Sequence, residues 1–159
     1  MKILFTHNDE VKDGFESKNP DYISEIPTES VDEIEGTCVL EKVPNLIDFI
    51  ENSYRILKFG SKATFTCSYY ASTRAWASPL TIRGLSEYSL SFSQKQWRED
   101  NKYTEAVIKA DFDVSVQFLL EQTVTQKAEP VRLFWMNKYL NVVQSVMFTL
   151  TKKVLDEKK

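Results

Sequence analysis

The chain offers few groups for chemistry. It has one histidine, His7, and two cysteines, Cys38 and Cys67. One histidine and two separated cysteines argue against a zinc site. A Ser-His-Asp triad would have to run through His7 at the end of the first strand, which geometry disfavours. The four glycines, Gly14, Gly36, Gly60 and Gly84, are all isolated. Neither a GxGxxG turn nor a Walker-type phosphate loop is present, so standard dinucleotide enzymes and P-loop NTPases are excluded. His7 reads as an ordinary loop residue of interest only for its place, and the cysteines as small apolar fillers at strand ends. Glu41 reads equally as a charge near a helix N-terminus or as a ligand neighbour. Tyr69, Tyr70 and Trp76 either stack an aromatic ligand or fold over the sheet edge. Arg74, Arg83, Lys95 and Arg98 surround the same loop as a local basic patch, while Asp111 and Asp113 read as solvated.

These residues need elements to position them. The 159 residues carry 42% hydrophobic and 27% charged side chains, ordinary for one globular domain over 1–159. Residues 2–6 read as a short buried strand. Residues 7–30, broken by Pro20 and Pro27, hold little more than a loop or a short helix. Residues 31–38 form a second strand. Asn45 caps a helix with Asp48 at its third position. Leu46, Ile47, Ile50, Tyr54 and Leu57 make its buried stripe, and Lys58-Phe59-Gly60 ends it with Gly60 as the left-handed stop. A strand over 62–69 turns Ala63, Phe65 and Cys67 to one face, completing a βαβ unit. A loop over 70–88 and a short amphipathic helix over 89–98, with Leu90, Phe92 and Trp97, follow. Alternation from Ala106 to Leu120 predicts a long strand. A helix over 129–140 carries Leu133, Phe134 and Leu140, and a last strand spans 142–154.

Three segments resemble the class I S-adenosylmethionine (SAM)-dependent methyltransferases. Cys38-Val39-Leu40-Glu41-Lys42-Val43-Pro44 is similar to their HVLEHxP segment after the fourth strand. Arg55-Ile56-Leu57-Lys58-Phe59-Gly60-Ser61 resembles their RxLKPGG turn before the fifth, and residues 26–34 resemble the approach to strand four. The resemblance implies a Rossmann-like α/β sheet, mostly parallel with a long antiparallel C-terminal strand pair; this chain departs from it by being shortened at strands two and three, with only ten residues between Phe15 and Ile26. It implies SAM as cofactor, held by the loop after strand one, an acid at the end of strand two that takes the ribose hydroxyls, and the loop after strand four. Carried over residue by residue, the cofactor-binding positions are Thr6, His7, Asn8, Asp21, Thr37 and Cys38. Asp21 matches the family's acid after strand three, while the ribose-binding acid has no clear counterpart, Glu16 being a candidate by position only.

The departures are specific. Lys2-Ile3-Leu4-Phe5-Thr6-His7-Asn8 aligns on the family's KLNIGCG, so Thr6 and Asn8 stand at loop glycines, where a β-carbon crowds close backbone approach. Residues 74–81 resemble the aWxDPtH loop of one subgroup, with Ser78 for its Asp and Thr81 for its His. Groups that would orient or deprotonate an acceptor are thus missing, although methyl transfer can run on positioning. The expectation is a SAM-dependent methyltransferase-like protein, active on an unknown acceptor or catalytically degenerate, a pseudoenzyme. The alternative is a non-enzymatic structural or protein-interaction module on the same fold, homo-oligomeric through its strand pair or aromatic loop. A nucleotide- or nucleic-acid-handling enzyme is a weaker third reading. The net charge of −3 argues against nucleic acid as a partner. No apolar run approaches a membrane span and no signal segment opens the chain, so a cytoplasmic location is expected.

Overall fold

A computed structural model describes residues 1–7, 10–104 and 107–153. One six-stranded sheet organises them: β1 (Lys2–Phe5), β2 (Glu16–Lys18), β3 (Val31–Thr37), β4 (Leu57–Ser68), β5 (Phe112–Leu120) and β6 (Val143–Lys152). The spatial order is β2-β1-β3-β4-β6-β5. Strands β1 to β4 are mutually parallel, and β6 runs antiparallel to both β4 and β5. The predicted sheet class is therefore the observed one. From β1 the chain moves to β2 on one side, then returns to β3 on the other. Strand order reverses there, and open α/β sheets bind ligands beyond the carboxyl ends of strands at such a point.

Helix α1 (Leu46–Ile56) links β3 to β4. Asn45 caps it, its Oδ1 accepting the Asp48 N–H at 3.2 Å. Its buried face is Phe49, Ile50, Ser53 and Ile56, rotated from the predicted stripe, with Leu46 and Tyr54 only partly buried at its margin. Phe49 anchors that face edge-on to Phe5 at 5.3 Å and to Phe65 at 5.7 Å. Ser53 tolerates burial because its hydroxyl donates to the Phe49 carbonyl at 2.8 Å.

The predicted helix stop needs correction. Helix α1 ends at Ile56, and Leu57 is already extended as the first residue of β4. Gly60 does take a left-handed φ of 77°, but inside the strand. The β3–β4 register shifts there: Val31 faces Leu57 and Glu33 faces Lys62. Glycine meets the φ that the irregularity demands.

The polar segment 7–30 also holds more than expected. Strand β2 pairs with β1, and a 3-10 helix spans Pro20–Glu25, capped by Asn19. Three polar residues, Glu16-Ser17-Lys18, give an edge strand no apolar signal. In the C-terminal half, Val146, Phe148 and Leu150 alternate into the core as read. The long strand predicted from 106 begins only at Phe112, because its partner β6 ends opposite at Lys152. Ala106 and residue 154, claimed for the two strands, lie outside the described residues. The short helix expected over 89–98 is a 3-10 turn at Ser91–Ser93 followed by α2 (Lys95–Asp100). Helix α3 (Gln122–Thr125) follows β5, and α4 (Glu129–Lys138) comes next, with Leu133 and Phe134 largely exposed. Among the described residues no helix is long and apolar enough to cross a membrane.

Candidate functional site

The loops at the carboxyl ends of β1 to β4 converge. After β1, Thr6 is buried and its N–H donates to the Lys18 carbonyl at 3.0 Å, tying the loop to β2. His7 follows, half-buried, and its Nε2 is buried with no hydrogen-bond partner among the described residues. After β2, the Asn19 side chain accepts the Asp21 N–H at 3.0 Å and leaves Asp21 exposed.

After β3, Thr37 is exposed and Cys38 is half-buried in a left-handed conformation, φ 53°. That bend lets the Cys38 N–H reach the Thr66 carbonyl at 2.9 Å and starts a tight turn closed by the Val43 N–H on the Val39 carbonyl, 3.1 Å. The turn sends Glu41 inward, 2% exposed. Its Oε1 accepts the Ser68 N–H at 2.8 Å, while its Oε2 is buried without a partner. Burial and the neighbouring Glu41 carboxylate push the Cys38 thiol up, and burial pushes Cys67 well above its ordinary value. Neither sulfur is a ready nucleophile at neutral pH.

After β4, the loop folds back over this turn. The Ile82 N–H donates to the Glu41 carbonyl at 3.0 Å. The Arg83 guanidinium donates to the Leu40 carbonyl at 2.8 Å, Val43 at 2.5 Å and Pro44 at 2.9 Å. A cleft of about 380 Å³ results, lined by His7, Asp21, Lys42, Pro44, Pro79, Leu80 and Ile82. That lies within the roughly 300–1,000 Å³ of small-molecule sites.

Of the predicted cofactor positions, His7 and Asp21 meet in this cleft. Thr6, Thr37 and Cys38 flank it without lining it, and Asn8 lies outside the described residues. Glu16 sits at the start of β2, ion-paired with Lys18 at 2.6 Å, and Asp21 is the acid at the cleft. Lys42 and Pro44 stand inside the HVLEHxP-like segment, which was the one available signal for them, and nothing in the sequence marked Leu80 and Ile82 as lining residues. The expected basic patch is dispersed, since Arg83 is engaged as above and Arg98 donates to the carbonyls of Phe92 and Ala110. Asp111, expected to be solvated, accepts from the Lys95 N–H at 2.9 Å and pairs with Lys153 at 2.8 Å.

Burial, aided by the Lys42 cation, holds His7 below its ordinary 6.5 against the opposing pull of Asp21 and Glu41. The unfolded chain therefore takes up the proton first. Stability present above pH 6.5 is lost as pH falls through the lowered folded value. Urea midpoints measured from pH 7.5 to 5 should fall for the parent, and fall less steeply for His7→Gln. Parallel curves would show that His7 contributes nothing.

Solved structures share the fold. A SAM-dependent methyltransferase from Archaeoglobus fulgidus superposes with a TM-score of 0.62 at 15% identity, covering 95% of this chain and 75% of that one. The fold is methyltransferase-like. A second such enzyme, from Mesorhizobium loti, gives 0.53 at 10% identity over 91% of this chain and 73% of its own. No family model matches the chain, and no curated protein matches its sequence. Likeness at these identities is one of fold. In this methyltransferase-like sheet the cleft occupies the ligand-binding edge that the topology itself designates.

Proposed function

We propose that the protein binds S-adenosylmethionine, or its demethylated product, in the carboxyl-edge cleft. The observation that carries this reading is the buried Nε2 of His7, without a partner among the described residues, at the wall of a cleft sited at the switch point of the sheet. A buried polar atom left without a partner costs about 1–3 kcal/mol, which a ligand hydrogen bond removes. The other lining groups fit the same molecule. The Asp21 carboxylate accepts from ribose hydroxyls, and the Lys42 ammonium meets the carboxylate of the methionine part. Pro44, Pro79, Leu80 and Ile82 give apolar walls for the adenine and keep water away. Bound S-adenosylmethionine supplies an activated methyl group on a sulfonium.

The chain offers little beyond binding. Ser78 and Thr81 stand at the positions of an acid and a histidine in the subgroup this loop resembles, and His7 is the one imidazole among the described lining residues. We read the protein as a cofactor-binding, catalytically degenerate member of this fold. Titration calorimetry with S-adenosylhomocysteine should give a saturable isotherm for the parent, and at least tenfold weaker binding for Asp21→Ala. Absence of heat and of a thermal shift at millimolar ligand would sink the reading.

A second reading is favoured by α4. Its Leu133 and Phe134, with Leu140 beyond it, are more than half exposed, which suits an interaction module and a homo-oligomer. Mass measured in solution distinguishes these, and a strictly monomeric protein would remove the homo-oligomer.

A further inference from the structure

A second hollow lies on the other side of the loop after β4. It measures about 530 Å³ and is lined by Tyr70, Trp76, Gly84, Ser86, Glu87 and Tyr88. Three of these six residues are aromatic, and all three are unusually open: Tyr70 is 49%, Trp76 61% and Tyr88 72% exposed. Large rings held in water on one loop are a liability unless something covers them.

The hollow is built rather than incidental. The Trp76 indole is fixed by its Nε1–H, which donates to the Tyr70 carbonyl at 3.0 Å. Gly84 admits the ring: a β-carbon there would meet Tyr70 Cβ at 2.9 Å and Trp76 Cζ2 at 3.0 Å. The Tyr70 ring is braced at 4.7 Å by Tyr69. The Tyr69 hydroxyl in turn donates to Glu87 Oε2 at 2.9 Å, which orients that carboxylate. A carboxylate has acceptor capacity well beyond one such bond. Among the described residues that line it, the sole charge is the Glu87 carboxylate.

Aromatic faces and a carboxylate around a small hollow select one chemistry. The ring faces are electron-rich and attract cations, and their apolar surface favours a cation clothed in methyl groups. A neutral apolar ligand would leave the Glu87 carboxylate without a counter-charge, and an anion would be repelled by it. We infer that the Tyr70–Trp76–Tyr88 hollow binds a small methylated ammonium cation, with Glu87 as its counter-charge. This site is separate from the cofactor cleft, and its occupancy requires nothing of the cofactor.

The test uses choline chloride and its neutral carbon isostere, 3,3-dimethylbutan-1-ol, on the full chain without S-adenosylmethionine. The chain has three tryptophans, so the indole N–H signal of Trp76 is identified by its loss in Trp76→Leu. Choline should shift that signal saturably, and the isostere should bind at least fivefold more weakly. Glu87→Gln keeps an oxygen for the Tyr69 hydroxyl, so it should fold normally yet weaken choline binding at least fivefold. Matching sodium chloride should leave the Trp76 signal in place. Equal affinity for choline and the isostere, an unaltered affinity in Glu87→Gln, or no saturable shift would each overturn the inference. Failure here leaves the S-adenosylhomocysteine isotherm untouched, so the two readings stand or fall separately.

Discussion

Arg83→Met should lose S-adenosylhomocysteine binding and about 3 kcal/mol of stability, less than the about 4.5–9 kcal/mol to which three hydrogen bonds from a charged donor would sum. The guanidinium is the tether that holds the loop after β4 against the turn after β3, through the carbonyls of Leu40, Val43 and Pro44. Methionine keeps the apolar stem, so the variant isolates the hydrogen bonds from the packing. Arg83 is only half-buried, and the freed carbonyls regain some water, which is why the full sum is not expected. The cleft suffers more than the fold. Pro79, Leu80 and Ile82 form one wall, and nothing else described ties that wall so firmly to Lys42 and Pro44. Arg83→Lys should recover little, because a single ammonium cannot span three carbonyls in a planar fork. Urea midpoints and calorimetry report the two losses. A variant as stable as the parent, with its affinity intact, would show that the tether is idle.

Arg55→Ala carries the next largest expectation, a loss of about 3 kcal/mol from several charge-assisted bonds. The side chain reaches from α1 to the crossover between β2 and β3. Its Nη1 donates to the Ile26 carbonyl at 2.7 Å and Thr28 Oγ1 at 3.3 Å, and its Nη2 to the carbonyls of Ile23 at 3.1 Å and Ser24 at 3.3 Å. The Arg55 carbonyl also accepts the Glu29 N–H at 3.0 Å, which alanine preserves. The damage is therefore local to residues 19–28. Amide exchange there should accelerate by at least tenfold relative to β4 and β6. Asp21 sits in that segment, so S-adenosylhomocysteine affinity should weaken as well. Uniform acceleration across the sheet would mean that Arg55 supports the whole core instead.

The parts of the fold that could be read in advance were those where burial repeats with a period. Ala63, Phe65 and Cys67 on β4, and Val146, Phe148 and Leu150 on β6, sit in the core by strict alternation. The Asn45 cap was equally plain, because its chemistry is local. Strand β2 escaped because an edge strand of three polar residues has no pattern to show. Gly60 was given the right backbone conformation and the wrong element, since a left-handed glycine serves a helix stop and a strand irregularity alike. The site divided along the same line. His7 and Asp21 emerged through likeness to the methyltransferase loops, each read from its own neighbourhood. Lys42, Leu80 and Ile82 are joined to them by Arg83, a long-range contact that no local spacing encodes. The glycines absent from the loop after β1 were legible from the start, and the buried Nε2 of His7 gives that departure a chemical counterpart.

Residues 82 to 84 run between the two hollows for which occupants are proposed. Ile82 lines the cleft at the carboxyl edge, Gly84 lines the aromatic hollow, and Arg83 between them is fastened to three carbonyls. Two sites sharing a rigid wall are thermodynamically linked whenever an occupant shifts that wall. By linkage, the factor by which an occupant of the cleft alters affinity in the hollow must equal the factor exerted in reverse. Arg83, anchored to the turn after β3, resists such a displacement, so a firm hold makes the two hollows independent.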